Sequence, residues 1–340
     1  MVVALLLSMT VAFLVTYFMT PYVIRYFRFV GMTSTDVHKK TKPRVPHSAG
    51  LPVVAGVATA LLLYAFVGVF VYQAADSLVT LFAVLTSLLI ITFIGVIDDL
   101  NSVQVVVGKH IEGKRGISRW QRPLLTIPAA LPLMAIMAGT TSISFPFIGT
   151  INFGILYPLL LVPIGIVGAS NMVNMLGGFN GLESGMGILY TFSLGTFALV
   201  DNRVLAAVLF YTTFAALLAI FRYNFSPAKI LPGDSLTYML GAVIALGAIV
   251  GNMEKVALIT AAPFIVQGVM KFYSLYKTGH FASDLGILQK DGTIKSRYGN
   301  KIYSLTHVVM NAGNFTERQI VLIFLIIQTV FSIIPFLRII

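Results

Sequence analysis

The chain has 340 residues, 57% of them hydrophobic and only 10% charged, and it carries a net charge of +11. Soluble domains are about a quarter charged, so soluble and fibrous classes are excluded and most of the chain belongs in lipid. The absence of cysteine removes disulfides, thiolate metal sites and zinc-finger spacing.

A membrane-spanning helix needs about 20 apolar residues, and on that criterion about ten spans are expected. They cover 1–25, 50–72, 78–97, 122–140, 155–175, 184–200, 204–221, 235–250, 256–275 and 318–338. The first run is long and lacks a basic start, so it reads as a retained anchor rather than a signal peptide. Alternate connections then share one face: 26–49, 98–121, 176–183, 222–234 and 276–317. With the adjoining helix ends included, that face holds 20 of the 23 Lys and Arg residues, and only Arg203, Lys255 and Arg338 lie on the other. Positive charge marks the cytoplasmic side, so both termini are expected outside and the long polar segments in the cytoplasm. Orientation and lipid headgroups suffice to explain most of these basic residues. They do not explain why Asp98, Asp99, Glu183 and Asp234 share that face. The expected architecture is an all-α polytopic membrane protein, a single domain over 1–340, with 276–317 as a cytoplasmic loop region inside it.

Four cytoplasmic segments carry more polar groups than packing requires. The first is Asp36-Val37-His38-Lys39, continuing through Lys40, Lys42 and Arg44 to Pro46-His47-Ser48-Ala49-Gly50. The second, Gly95 to Asn101, places Asp98 and Asp99 at the mouth of an uncharged run, where carboxylates are expensive. Adjacent helical residues diverge by about 100°, so both cannot face one ion from a regular helix. One is expected to meet an ion or substrate while the other orients a neighbour. Taken alone, the pair also reads as solvated, salt-bridged acids at a helix end.

The third segment runs from Asn171 to Glu183. Asn171 and Asn174 are three apart and share one side of a helix. Gly177-Gly178 ends that helix, and Asn180-Gly181 signals a turn where a ligand can approach the backbone. A plainer reading has Asn180 or Ser184 capping the sixth helix, with Glu183 favourable in its first turn. The fourth segment, Leu231-Pro232-Gly233-Asp234-Ser235, reads by itself as a helix N-cap at Asp234. A metal reading gains force if Asp234 converges with Asn174 and the Asp98 pair. Few, oxygen-only ligands suit Mg²⁺ or Mn²⁺, and the 5 histidines show no paired spacing for zinc. Farther on, Asp291-Gly292 predicts a small β-hairpin within 285–300. Lys290, Lys295, Arg297 and Lys301 either reach a diphosphate from it or form a solvated face.

In this order the four segments resemble the polyprenyl-phosphate N-acetylhexosamine-1-phosphate transferases, and the resemblance covers nearly the whole chain. The stretch from Asn174 to Glu183, ending Asn-Gly-Leu-Glu, is similar to the dolichol branch of that family. The resemblance implies Asn174 and Asp234 as ligands of Mg²⁺, or Mn²⁺, on a sugar-nucleotide diphosphate. It implies Asn180, with Gly181 and Glu183 of the same motif, at the uracil. Asp98, Asp99 and Lys39 match the catalytic acidic pair and lysine, and Arg122 replaces a diphosphate-binding lysine. Two departures stand out. Leu231 occupies the place of a uracil-stacking aromatic, and Phe281-Ala-Ser-Asp-Leu285 occupies that of a basic cluster.

The reaction so implied is attack by a polyprenyl (dolichyl) phosphate on the β-phosphorus of UDP-GlcNAc. It yields polyprenyl-diphosphate-GlcNAc and UMP, a first step of lipid-linked glycan synthesis for protein glycosylation. The nucleophile is already anionic, so positioning and charge neutralisation carry the expected catalysis. The implied partners are UDP-GlcNAc, polyprenyl phosphate and membrane lipids, with no nucleic acid; a homodimer is compatible with the chain. The rival class is a membrane transporter or flippase for a lipid-linked or phosphorylated substrate. Coupled transporters set ionisable residues near the bilayer midplane, and the expected spans carry none there.

Overall fold

The computed structural model describes residues 2–75, 77–101, 106, 107, 110, 111, 120–145 and 149–337. In lipid every backbone polar group must be satisfied within its own segment, so uninterrupted apolar runs become helices. The first three are α1 (Val2–Phe29), α2 (Gly50–Phe70) and α3 (Leu78–Asn101). Between α1 and α2 an antiparallel pair, β1 (Thr33–Thr35) and β2 (Arg44–Pro46), sets Thr33 opposite Pro46 and Thr35 opposite Arg44. This pair closes the loop that holds Asp36, His38 and Lys39. A second short pair, β3 (Val106–Val107) and β4 (His110–Ile111), follows α3. The expected cytoplasmic residues Lys109, Lys114, Arg115 and Arg119 lie outside the described residues, as does Arg338.

The expected span 122–140 is a broken run: α4 (Gln121–Thr126), a 3-10 turn over Ile127–Ala130, and α5 (Leu131–Ala135). Pro123, Pro128 and Pro132 interrupt it, each lacking the N–H that would continue the helix. After the hairpin β5 (Ser142–Phe145) and β6 (Gly149–Asn152), a π-helical turn at Tyr157–Leu161 leads into α6 (Val162–Asn174). Then come α7 (Leu182–Val200), α8 (Val204–Asn224) and α9 (Gly233–Gly251). Next, α10 (Glu254–Thr260) and α11 (Ala262–Thr278) meet at a bend of 66°, with Pro263 just past the break. The expected hairpin is present as β7 (Ile287–Leu288) and β8 (Ile294–Lys295). The last helices are α12 (Leu305–Ala312) and α13 (Glu317–Ile333).

Among the described residues 7 helices are long and apolar enough to cross a membrane, or 8 if the bent pair is one span. The protein is therefore a mostly helical, polytopic integral membrane protein. Two of the ten expected spans fall short of that measure for visible reasons. Prolines divide the run at 121–135, and α7 interleaves Gly185, Gly187 and Gly195 with Ser184, Thr191, Ser193 and Thr196.

The central helix is α9, buried on nearly every face and flanked by α3 and α6, as an all-round apolar helix should be. Its first turn is approached very closely from two sides. A Cβ added to Gly50 of α2 or to Gly95 of α3 would lie 2.4 Å from the backbone of Ser235. Small residues permit such contacts between membrane helices, and here they bring the end of α3 against the start of α9.

Candidate active site

That junction holds the acidic pair. Asp98 and Asp99 are 1% and 2% exposed, so neither is the solvated helix-end acid of the plainer reading. As helical geometry requires, they diverge. Asp99 turns towards α9: its Oδ1 accepts the N–H of Asp234 at 2.6 Å and its Oδ2 the N–H of Ser235 at 3.2 Å. The Ser48 hydroxyl also donates to Oδ2, and His47 Nδ1 lies 3.6 Å from Oδ1. The residue before Asp234 is Gly233 at φ +69°, where a Cβ would lie 2.5 Å from the Asp99 carboxylate. A helix start leaves its first N–H groups unpaired and favours negative charge. Here a carboxylate from another helix fills that role. The N-cap reading of Asp234 is corrected accordingly: Pro232 stands at the cap, without a side-chain bond, and Asp234 lies in the first turn.

Asp98 turns the other way. The Tyr238 hydroxyl donates to its Oδ2 at 2.9 Å, and Arg122 Nε lies 3.1 Å from the same oxygen. Arg122 Nη2 donates to Asp98 Oδ1 at 3.3 Å and sits 3.6 Å from Asp234 Oδ2. Arg122 therefore bridges the buried acid of α3 and the partly buried acid of α9.

A second acidic hub lies at the start of α13. The Lys39 ammonium pairs with Glu317 and sits 3.4 Å from Asp36 Oδ2. Glu317 also accepts the Asn180 N–H at 3.1 Å and the Ser226 hydroxyl at 3.0 Å. The Asn180 side-chain amide donates to Asp36 at 2.7 Å, and His38 stacks on Phe179 with ring centroids 4.8 Å apart. Glu183 reaches back to accept the Gly178 N–H at 2.9 Å, which fixes the glycine loop. Neither Asn180 nor Ser184 caps α7, a second correction. Gly181 starts that helix at φ +93°, and the Ser184 hydroxyl instead donates to Asn224 at 2.6 Å.

Between the two hubs lies a cavity of about 410 Å³. Of the sequence-predicted residues, Asp99, Arg122, Asn174, Asn180, Glu183, Leu231 and Asp234 line it. Lys39, Asp98 and Gly181 are not among its lining residues; Lys39 is tied to Glu317 and Asp98 to Arg122. Asn171 is bound to Thr126 and to the Val167 carbonyl, at 3.3 and 2.8 Å. None of Lys290, Lys295, Arg297 and Lys301 lines the cavity, and Lys295 bonds Asn314 instead.

The segment that replaces the expected basic cluster contributes a carboxylate, Asp284, to the cavity wall. Lys271 neutralises it from behind at 2.7 Å and also donates to the Ala282 carbonyl at 2.6 Å. His307 fixes the same loop through the Ser283 carbonyl at 2.9 Å. Burial holds the His307 imidazole below its ordinary range, against the opposing pull of that carbonyl and of Asp284. A neutral ring with hydrogen on Nε2 suits this contact, and Nδ1 then accepts the Tyr303 N–H at 3.2 Å.

Asn174 and Asp234 both line this cavity and can offer oxygen ligands. Among the described residues no three His, Cys, Asp or Glu side chains gather as a metal cluster. Two protein oxygens, completed by phosphate and water, fit the habits of Mg²⁺.

Sequence reasoning missed Glu317. The capping box between Thr316 and Gln319 announces a helix start there, but nothing local ties it to Lys39, 278 residues away. Glu317→Gln keeps an acceptor for the Asn180 N–H and removes the charge that holds Lys39. Activity is expected to fall about tenfold or more, the scale of one charge-assisted hydrogen bond, and steady-state rates check this.

The chain is similar to several known proteins. Residues 81–252 match the model of glycosyl transferase family 4. The chain is 32% identical over 337 residues to a Saccharolobus solfataricus protein, covering 98% of this chain and 96% of that one. That relative is provisionally named a UDP-N-acetylglucosamine–dolichyl-phosphate N-acetylglucosaminephosphotransferase. A protein of Sulfolobus acidocaldarius with the same provisional name is 33% identical, over 97% of this chain and 94% of its own. A phospho-N-acetylmuramoyl-pentapeptide-transferase of Streptococcus pyogenes is 27% identical, over 80% of this chain and 81% of its own. The chain belongs to glycosyl transferase family 4, among the polyprenyl-phosphate N-acetylhexosamine-1-phosphate transferases that its motifs resemble.

Proposed function

We propose that this protein transfers N-acetylglucosamine 1-phosphate from UDP-GlcNAc to a polyprenyl phosphate of the dolichyl type, releasing UMP. The observation that carries this reading is the cavity gathering Arg122, Asn174, Asn180 and Asp234 at the ends of apolar helices. A lipid acceptor presents its phosphate at headgroup level while a sugar nucleotide stays in water, so the reacting groups belong at such a junction. The basic residues on that face favour a cytoplasmic active site and external termini. The product would open a lipid-linked glycan pathway serving protein glycosylation.

In the proposed reaction an acceptor phosphate oxygen bonds to the β-phosphorus, and the bond from that phosphorus to the oxygen of UMP breaks. Asn174 and Asp234 would hold Mg²⁺, which when bound supplies charge neutralisation at the diphosphate. Arg122, steadied by Asp98, faces the same wall and stabilises charge on the leaving nucleotide. Asn180, held by Asp36 and Glu317, offers its amide to the base, and Lys39 draws the acceptor phosphate in. No deprotonation is required, because the attacking phosphate is anionic near neutral pH. The transport reading draws no support from charge placement. Among the described residues, Asp, Glu, Lys and Arg of the 7 long apolar helices sit near helix ends, and Lys271, midway along α11 of the bent pair, is paired with Asp284.

The test is UMP release from UDP-GlcNAc by purified protein in detergent, with and without dolichyl phosphate. Release that needs the lipid and Mg²⁺, and that stops on chelation, is the expected result. Substrate uptake by proteoliposomes without any UMP formed would replace this reading with transport.

A further inference from the structure

The cavity wall is strongly acidic for a site that must accept an anion. Asp36, Asp99, Glu183, Asp234 and Asp284 line it, and among the described residues only Arg122 and His47 add basic side chains. Arg122 is already committed to two carboxylates. His47 is 4% exposed and follows β2 in the Pro46–Gly50 segment. One ring nitrogen, Nδ1, faces the Asp99 carboxylate at 3.6 Å. The other, Nε2, is buried and has no hydrogen-bond partner among the described residues. Nearly every buried polar atom in a folded protein has a partner, so an orphan nitrogen in a cavity wall calls for one.

We propose that His47, oriented by Asp99, binds a phosphate oxygen of the nucleotide donor through Nε2. The inference rests on the transferase reading above. The position favours phosphate over base or sugar: the Asp99 oxygen facing His47 also accepts the backbone N–H of Asp234. His47 therefore stands one carboxylate away from the proposed metal-binding residue, on the same wall as Arg122. The second consequence concerns Asp99 itself. With Ser48 and two backbone N–H groups already bound to it, it acts through the imidazole as a positioning residue. A carboxylate behind an imidazole fixes the ring's orientation, and an imidazole set between two anions donates from both nitrogens, Nδ1 towards Asp99 and Nε2 towards the phosphate. The acids of this site then share one logic. Asp98 presents Arg122, Asp99 presents His47, and Glu317 holds Lys39.

The experiment compares binding of UDP and of uridine, in Mg²⁺ buffer, to the wild-type protein and to His47→Ala and His47→Gln in detergent. His47→Ala is expected to weaken UDP binding about tenfold or more, as loss of a charge-assisted hydrogen bond does, and to leave uridine binding unchanged. His47→Gln, whose amide keeps a donor, is expected to recover part of the UDP affinity. Wild-type UDP affinity in His47→Ala would overturn the proposal while leaving the transferase reading intact. Equal losses for UDP and uridine would also overturn it, since they would report a collapsed pocket rather than a phosphate contact. If the wild type binds UDP but releases no UMP from UDP-GlcNAc with acceptor, the transferase reading fails and the His47 assignment is still decided by binding. If the wild type binds neither ligand, both fall together.

Discussion

Asp99→Asn will lose at least about a hundredfold in UMP release and will also lower the thermal midpoint in detergent. Both effects come from the same contacts. The carboxylate accepts from Ser48, from Asp234 N–H and from Ser235 N–H, inside a junction where it is 2% exposed. An amide supplies one acceptor oxygen, and its NH₂ must face donors that have nothing to accept it. Breaking a buried charged hub of this kind costs about 3–5 kcal/mol, and each stranded donor belongs to that sum. The first turn of α9 then shifts, carrying Asp234 with it, and the His47 ring loses its partner. Displacements of this size at a reacting site cost rate steeply even without touching the chemistry. The measurement pairs a thermal unfolding curve with initial rates. Lost turnover at an unchanged midpoint would contradict the positioning role and leave Asp99 a direct part in the chemistry.

Sequence legibility followed the range of the interactions. The long helices were readable because apolar run length is a local property and lipid enforces it. The β7–β8 hairpin was readable from Asp291-Gly292 for the same reason. The divergence of Asp98 and Asp99 followed from helical geometry alone, though not the partner that each one found. What the sequence withheld was long-range. Asp99 caps α9 by bonding N–H groups 135 and 136 residues later, those of Asp234 and Ser235, and no local pattern announces this. Glu317 is farther still from Lys39, and the pairing of Lys271 with Asp284 turns a missing basic cluster into a neutralised carboxylate. Span 122–140 was misjudged in its regularity because a composition window passes over three prolines that a helix cannot ignore. His47 carries no task legible in its own segment, since its orphan nitrogen exists only once the cavity does.

Asp234→Asn separates metal binding from architecture at the same junction. The backbone N–H of Asp234 bonds to Asp99, and the substitution leaves it in place, so α9 should start where it does now. The side chain stands among the carboxylates of Asp98 and Asp99 with Arg122 as its counter-charge. Neutralising it removes repulsion as well as attraction, and the thermal midpoint should hold or rise slightly. The charge is what a hard divalent cation needs from this wall, because Asn174 contributes a neutral oxygen. The Mg²⁺ concentration for half-maximal UMP release should therefore rise about tenfold or more, with Asp234→Ala lower still in rate and Asn174→Ala intermediate. A magnesium titration beside an unfolding curve reads both quantities. An unshifted magnesium requirement would move the metal away from Asp234, and the acid would then serve only to hold Arg122. Opposite stability outcomes for Asp99→Asn and Asp234→Asn, with activity lost in both, would mark one carboxylate as the scaffold and its neighbour as the ligand.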